Sequence, residues 1–387
     1  MFTVFTMFSN QFRTLALGIV FLCGAALCLA ALPNGSYAAP EVPQDGDLQV
    51  CSAILFDLDR DQVLFEQNAD EYIPPASLTK IMSMFLALDQ ISAGMLKPQA
   101  LTCVSSEAAS TGGSRMGLRV NESVSLERLL MGMAVSSGND ASVSVAEMVG
   151  GSVRAFVHMM NAKARLLGMR HTIFLNPHGL PALGQCTTAR DMLILARAYL
   201  RAHPQALLYH NTHVLRHGNV LSWNKNPLLG QYPGADGLKT GWVRASGYNL
   251  IFTAKRGNKR LLAVILGAPD SEMRSIEAFR MLDAGFQVCA GQAPSVERAL
   301  DGLPRENYHP DLHITAREAR SLYGYAPSRQ VAYAKHPKGK RVRSKGKERR
   351  KMQIQQDKSG RKKSVARTGR QKKGHGQAAG RSWRRAG

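Results

Sequence analysis

Ser77 and Lys80 stand three residues apart at the head of an apolar run formed by Ile81, Met82, Met84, Phe85, Leu86 and Leu88. Pro74 and Pro75 precede them. Proline suits the first turn of a helix, where its missing N–H costs nothing, and it blocks helix further upstream. The pattern therefore predicts a helix beginning near Ser77. Positions i and i+3 share one face of a helix, so the Lys80 amine falls beside the Ser77 hydroxyl. Such a pair can be a nucleophile and its base. A serine hydroxyl attacks poorly until a base takes its proton. Lysine can do so only as the neutral amine, so its pKa must fall from a reference of about 10.4. Partial burial and a second nearby cation both lower it. A lone S-x-x-K arises by chance in any long chain, so other groups must support it.

Two further clusters do. Ser137-Gly138-Asn139 follows a helix ending Gly132-Met133-Ala134-Val135-Ser136, and Asp140-Ala141 continue from it. Lys239-Thr240-Gly241 follows Asp236-Gly237-Leu238 where strand character returns. The first offers a hydroxyl and an amide; the second offers the cation that could tune Lys80.

The elements that must position these groups can be read in order. Val50–Leu58 and Val63–Phe65 flank the turn-type cluster Asp59-Arg60-Asp61 and predict a hairpin. From about Met84 to Leu200 apolar residues recur at threes and fours, the helical period. Gly168 closes one helix and Thr188 is the N-cap of another. Tyr248–Ala254 and Arg260–Leu266 are β-rich runs joined across Gly257-Asn258, a second hairpin. Ser271–Val288 is a last amphipathic helix carrying Ile276, Phe279, Leu282 and Phe286. The order hairpin, helices, hairpin, helix implies an α+β domain. Its antiparallel sheet is built from both ends of the domain and flanked by helices, with a helical lobe inserted between.

The chain has 387 residues, enough for a substantial core, and a formal net charge of +22. The charge is concentrated: residues 335–387 hold 21 of the 50 Lys and Arg and two of the 28 acids, a net of +19. The remainder is nearly neutral. That tail has almost no large apolar residue and should not fold by itself. It could dock an anionic membrane or envelope polymer, at about 1 kcal/mol per basic residue, or simply solubilise. Trp383 is its one aromatic residue, which argues against nucleic-acid stacking. Residues 291–334 are weakly periodic and punctuated by Pro294, Pro304, Pro310 and Pro327, and read as a linker or short accessory segment. Residues 1–38 read as an export signal: Arg13, an uncharged apolar run from Leu15 to Leu32, then Ser36-Tyr37-Ala38 as the cleavage pattern. An uncleaved anchor is the alternative. Either way the bulk of the chain lies outside the cytoplasm. Beyond the signal, Cys51, Cys103, Cys186 and Cys289 are too widely spaced for a metal site. They read as isolated buried thiols ahead of disulfides.

S-x-x-K, S-x-N and K-T-G in that order are the signature set of penicillin-binding proteins and class A β-lactamases. From about Gln49 to Ala290 the sequence resembles the low-molecular-mass penicillin-binding proteins that are serine-type D-alanyl-D-alanine carboxypeptidases, the peptidase S11 family. The likeness extends to Asn176-Pro177-His178-Gly179-Leu180, Thr188-Ala189-Arg190-Asp191-Met192 and Gly247-Tyr248-Asn249-Leu250. It implies a β-lactamase/transpeptidase-like fold and a 39–290 catalytic domain with no metal or cofactor. It implies that Ser77 attacks the penultimate D-Ala carbonyl of peptidoglycan stem peptides, with β-lactams as inhibitors. Lys80 is then the base, and Ser137 relays the proton to the leaving nitrogen. Asn139 holds Lys80 and the substrate backbone, Lys239 and Thr240 face the terminal carboxylate, and Gly241 admits the ligand. The N–H groups of Ser77 and Trp242 form the oxyanion hole. Arg274 stands either near the carboxylate or in solvent, and His178 is structural. An endopeptidase acting on cross-links, or a penicillin-binding module tethered by the basic tail, is the alternative. Gly138 replaces the aspartate usual in the β-lactamase motif, and no glutamate loop of the class A type is evident, which disfavours rapid β-lactam hydrolysis. Residues 291–387 do not resemble the C-terminal β-domain and membrane helix that many family members carry.

Overall fold

The computed structural model describes residues 47–309. The export signal, the basic tail and the segment 310–334 lie outside the described residues. Strands β1 (Ser52–Asp57) and β2 (Gln62–Gln67) form the first hairpin, closed by the Asp57 carboxylate accepting the N–H groups of Asp59 (2.9 Å) and Arg60 (3.0 Å). Late in the chain come β7 (Ala235–Val243), β8 (Gly247–Arg256) and β9 (Lys259–Ala268). The five strands make one antiparallel sheet in the order β2-β1-β9-β8-β7. The two ends of the domain thus meet at the β1–β9 seam, and β7 is left at an edge.

The sheet is apolar on both faces. Ile54, Phe56, Leu262, Val264, Leu266 and Ile251 face the helical lobe; Ala53, Leu55, Leu261, Ala263, Ile265 and Phe252 face the C-terminal helix α8 (Ser271–Cys289). This is the period-2 alternation of a strand with both sides covered. Each fully buried Leu, Ile or Phe contributes about 1.5–3 kcal/mol. At the centre of the lobe lies α1 (Lys80–Ser92), in which every residue from Lys80 to Leu88 is buried. A helix apolar all round can only be an interior one. It packs against α4 (Asn139–Gly150), α5 (Val153–Leu167) and α6 (Ala189–Ala202). Thr188 caps α6 by accepting the Asp191 N–H, as its sequence position predicts.

The structure departs from the sequence reading in two places. The lobe carries two small hairpins, β3 (Leu101–Cys103) with β4 (Ser123–Ser125) and β5 (Val214–His217) with β6 (Val220–Trp223). Strands of three or four residues are too short to show alternation. The four cysteines are free, but they are not buried: Cys103 is exposed and the others are half-buried. Residues 291–309, read as part of a linker or short accessory segment, fold against the domain. Ser295 caps the short helix α9 (Val296–Asp301), which buries Val296, Ala299 and Leu300 against α8.

Glu277 of α8 locks this corner. Fully buried, it accepts the Gln49 N–H (3.0 Å), Arg280 (2.5 Å) and Arg305 (2.6 Å). Arg280 also donates to the carbonyls of Leu300 and Leu303, and Arg305 to that of Asp47. One carboxylate thereby ties both ends of the described chain to α8. Glu277→Gln would strand two guanidinium groups without their anion. Removing one partner of a buried ion pair costs about 3–5 kcal/mol. The expected outcome is a loss of that size in urea unfolding; a loss under 1 kcal/mol would show that the carboxylate is not the lock.

Candidate active site

Ala76–Thr79 form a single 3₁₀ turn that runs directly into α1. In a 3₁₀ turn side chains i and i+3 eclipse, and Lys80 Nζ accordingly lies 2.9 Å from Ser77 Oγ. The same nitrogen lies 2.7 Å from Asn139 Oδ1 and 2.7 Å from the His178 carbonyl. Lys80 Nζ thus donates to three oxygens; as the neutral amine it can keep two of these contacts and take the Ser77 proton on its lone pair. Burial pushes the Lys80 pKa well below its ordinary value, and the charges of Lys239 and Lys225 push it further, against a smaller opposing pull from Asp140.

The turn that carries Ser77 is tightly held. Ala76 has φ +49°, a left-handed conformation that costs a non-glycine residue about 1–3 kcal/mol. Gly179 (φ +85°) packs against it so closely that a Cβ there would stand 1.7 Å from the Ala76 carbonyl oxygen. On the other side Gly241 brings β7 against the same turn; a Cβ at 241 would stand 3.1 Å from the Ser77 nitrogen. A side chain at 241 would press on the Ser77 backbone, which would have to give by a few tenths of an ångström.

The second wall comes from α3 (Leu126–Met131), which widens into a π turn over Gly132–Ser136. Such turns are rare and recur at functional sites. The turn ends on Ser137, buried and left-handed at φ 57°. Asn139, the first residue of α4, is fixed from both sides. Its Nδ2 donates to the Gly112 carbonyl (2.7 Å) and its backbone N–H to that of Ser114 (2.7 Å), leaving Oδ1 for Lys80. Asp140, fully buried, accepts the N–H groups of Met116 (3.0 Å), Gly117 (3.0 Å) and Leu118 (3.1 Å). It anchors the loop 112–118 under the site.

The third wall is β7. Lys239 is buried, with Nζ donating to the Thr240 carbonyl (2.8 Å). Burial lowers its pKa strongly, and Lys225 and Arg274 lower it more. Arg274 is not the solvated helix arginine that was one of its two sequence readings. It is 7% exposed, its Nε has no partner, and burial brings its pKa down to about 10. Its guanidinium lies 5.9 Å from the Tyr248 ring centroid. Trp242, 56% exposed, tilts against the same ring at 5.9 Å. Lys239 on β7 and Arg274 on α8 are thus two buried basic groups near enough for the arginine's charge to act on the lysine, and among the described residues no carboxylate is bonded to either.

Ser77, Lys80 and Asn139 are joined by direct contact, Gly241 abuts the Ser77 backbone, and Lys239, Thr240 and Arg274 form the adjoining cationic wall. Trp242 follows on the same edge. His178 contributes its carbonyl; its ring accepts the Leu180 N–H (3.1 Å), and burial with the nearby Lys80 charge drops its pKa to about 4. Neutral and bonded locally, it is a structural group. Sequence reasoning missed Lys225 and Ser114, whose side chains meet at 2.7 Å, and the anchoring role of Asp140. The Gly112-Gly113 pair before Ser114 marks a turn, but nothing in Asn224-Lys225-Asn226 signals a site.

Residues 38–270 match the family model of peptidase S11, D-alanyl-D-alanine carboxypeptidase. The D-alanyl-D-alanine carboxypeptidase DacF of Bacillus subtilis is 38% identical over 239 residues, 61% of this chain and 61% of DacF. DacC of Escherichia coli is 35% identical over 289 residues, 73% of this chain and 70% of DacC. The chain therefore spans about three fifths of DacF and seven tenths of DacC. Among solved structures, penicillin-binding protein 6B of Escherichia coli superposes with a TM-score of 0.61 at 34% identity, covering 64% of this chain and 80% of that one. The α+β architecture is that of the penicillin-binding proteins, and the chain belongs to the peptidase S11 family of D-alanyl-D-alanine carboxypeptidases.

Proposed function

We propose that the protein is a serine D,D-carboxypeptidase that removes the terminal D-Ala from peptidoglycan pentapeptides and is acylated by β-lactams. The observation that carries this reading is the 2.9 Å contact between Ser77 Oγ and a buried Lys80 amine whose pKa is depressed. Ser77 Oγ attacks the carbonyl of the penultimate D-Ala while Lys80 takes its proton. The developing oxyanion accepts from the backbone N–H groups of Ser77 and Trp242, donors fixed before the reaction begins. Ser137 passes the proton to the leaving nitrogen, the D-Ala departs, and water hydrolyses the acyl-enzyme. Lys239, Thr240 and Arg274 hold the terminal carboxylate. Burying cations without an anion is costly, and a bound carboxylate relieves that cost. It also keeps Lys239 charged, which in turn favours the neutral form of Lys80.

The export reading of residues 1–38 places this chemistry outside the cytoplasm, in the periplasm or on the outer face of the membrane, where peptidoglycan lies. The basic segment 335–387 supplies a second contact, to an anionic membrane or envelope polymer.

Fluorescent penicillin should label the wild-type protein and fail to label Ser77→Ala; equal labelling of both removes the nucleophile assignment. D-Ala release from a pentapeptide should outpace cleavage of a cross-linked dimer, and the reverse result would favour the endopeptidase alternative. Because the base is the neutral amine, acylation should rise with pH through the lowered Lys80 pKa and then level off. A rate that falls over the same range would contradict a lysine base. Deleting 335–387 should weaken salt-sensitive binding to anionic vesicles and leave penicillin labelling intact. Equal vesicle binding by both forms would discard the tether.

A further inference from the structure

Lys225 belongs to none of the three motifs, yet its contact with Ser114 reaches Asn139 of one and its charge acts on Lys80 and Lys239 of the others. It lies just past β6, on the segment leading into β7, and Nζ donates to Ser114 Oγ (2.7 Å), a contact between residues 111 apart in sequence. Ser114 in turn accepts the Asn139 backbone N–H through its carbonyl, and Asn139 Oδ1 meets Lys80. A continuous chain of contacts therefore runs Lys225, Ser114, Asn139, Lys80, and it spans from the β7 side of the site to the lobe side. As a residue Lys225 is exposed, yet its ammonium end is crowded enough that desolvation lowers its pKa. Among the described residues no carboxylate is bonded to it.

We propose that Lys225 is a positioning residue of this site: its ammonium braces the 112–118 loop that fixes Asn139, and it keeps a second positive charge directed at Lys80. This rests on Lys80 acting as the base for Ser77. A surface lysine normally contributes little, because water screens it. Here the charge acts on two buried amines, where screening is weak. The charged and titratable groups facing Lys80 are Lys239 on β7, Lys225, Asp140 on α4 and the His178 ring. Two of them are lysines that oppose its protonation, and Asp140, the one carboxylate, is turned toward the N–H groups of Met116, Gly117 and Leu118. Removing one of the two cations should therefore let Lys80 hold its proton to a higher pH. A brace without an electrostatic role would weaken acylation equally at every pH.

The test is the pH dependence of Ser77 acylation by penicillin in the full chain, comparing Lys225→Met and Lys225→Arg with the wild-type protein. In Lys225→Met the acid limb should move to higher pH. A displacement of one unit reads as about tenfold slower acylation below the limb, with the plateau far less affected. In Lys225→Arg, which keeps the charge and can still donate to Ser114, the limb should return to the wild-type position. A limb in Lys225→Met that overlays the wild-type limb overturns the proposal. So does a limb in Lys225→Arg displaced as far as in Lys225→Met. Failure of the wild-type protein to be labelled at all would instead contradict the enzymatic reading on which the proposal rests.

Discussion

The amine of Lys80 is buried completely, and the rest of the site follows from that constraint. An ammonium in such a place would need an anion, and the one buried carboxylate near it, Asp140, is committed to three backbone N–H groups. What surrounds the amine instead is Ser77, an amide oxygen, a carbonyl, and the charges of two other lysines. Desolvation and like charge act in the same direction and favour the uncharged form. A neutral amine 2.9 Å from a hydroxyl is placed to take its proton. The same lysine at the surface would be a cation with nothing to accept.

The fold builds this environment by bringing three remote segments to one line. The sheet leaves β7 at its edge, so one side of that strand is open to the turn that carries Ser77. Glycine at 241 lets the strand come within contact of that turn, and glycine at 179 closes it from behind. The lobe contributes Asn139 from a helix whose first residues are clamped to the 112–118 loop. Sheet and lobe share the apolar layer of α1, α6 and the strands β1, β8 and β9, so the two walls cannot drift apart without opening that core. Packing therefore fixes the distance between Ser77, Lys80 and the wall of Lys239 and Arg274, as a site held on rigid elements requires.

Much of this is legible in the sequence, for identifiable reasons. Ser77 and Lys80 are close in the chain, and two prolines mark where their helix begins. The paired hairpins at the two ends of the domain have alternation and turn residues strong enough to imply the sheet. Arg274 could be placed on the last helix, but whether it pointed inward could not be decided, because α8 buries residues on most of its circumference, including Arg280 and Glu277. The hairpins β3–β4 and β5–β6 are too short to leave a pattern, and α9 hides among prolines. Lys225 is the instructive omission. Its partner is 111 residues away, and no local rule connects a lysine between two asparagines to a serine behind two glycines. Cys103 shows the converse: its wide spacing from the other cysteines reads as an isolated buried thiol, but it lies exposed on a short hairpin.

The claim on which the chemistry depends is that Lys80 is uncharged at working pH, and it can be observed without following a reaction. Selective ¹³C labelling of lysine side chains reports each amine's ionisation through its Cε shift, and a Lys80→Met variant assigns the signal. The expected result is a Lys80 resonance that titrates well below 10.5, the ordinary value for a lysine, while solvent-exposed lysines titrate near it. A Lys80 midpoint at or above 10.5 would mean that the buried amine carries its proton, and that something other than Lys80 activates Ser77.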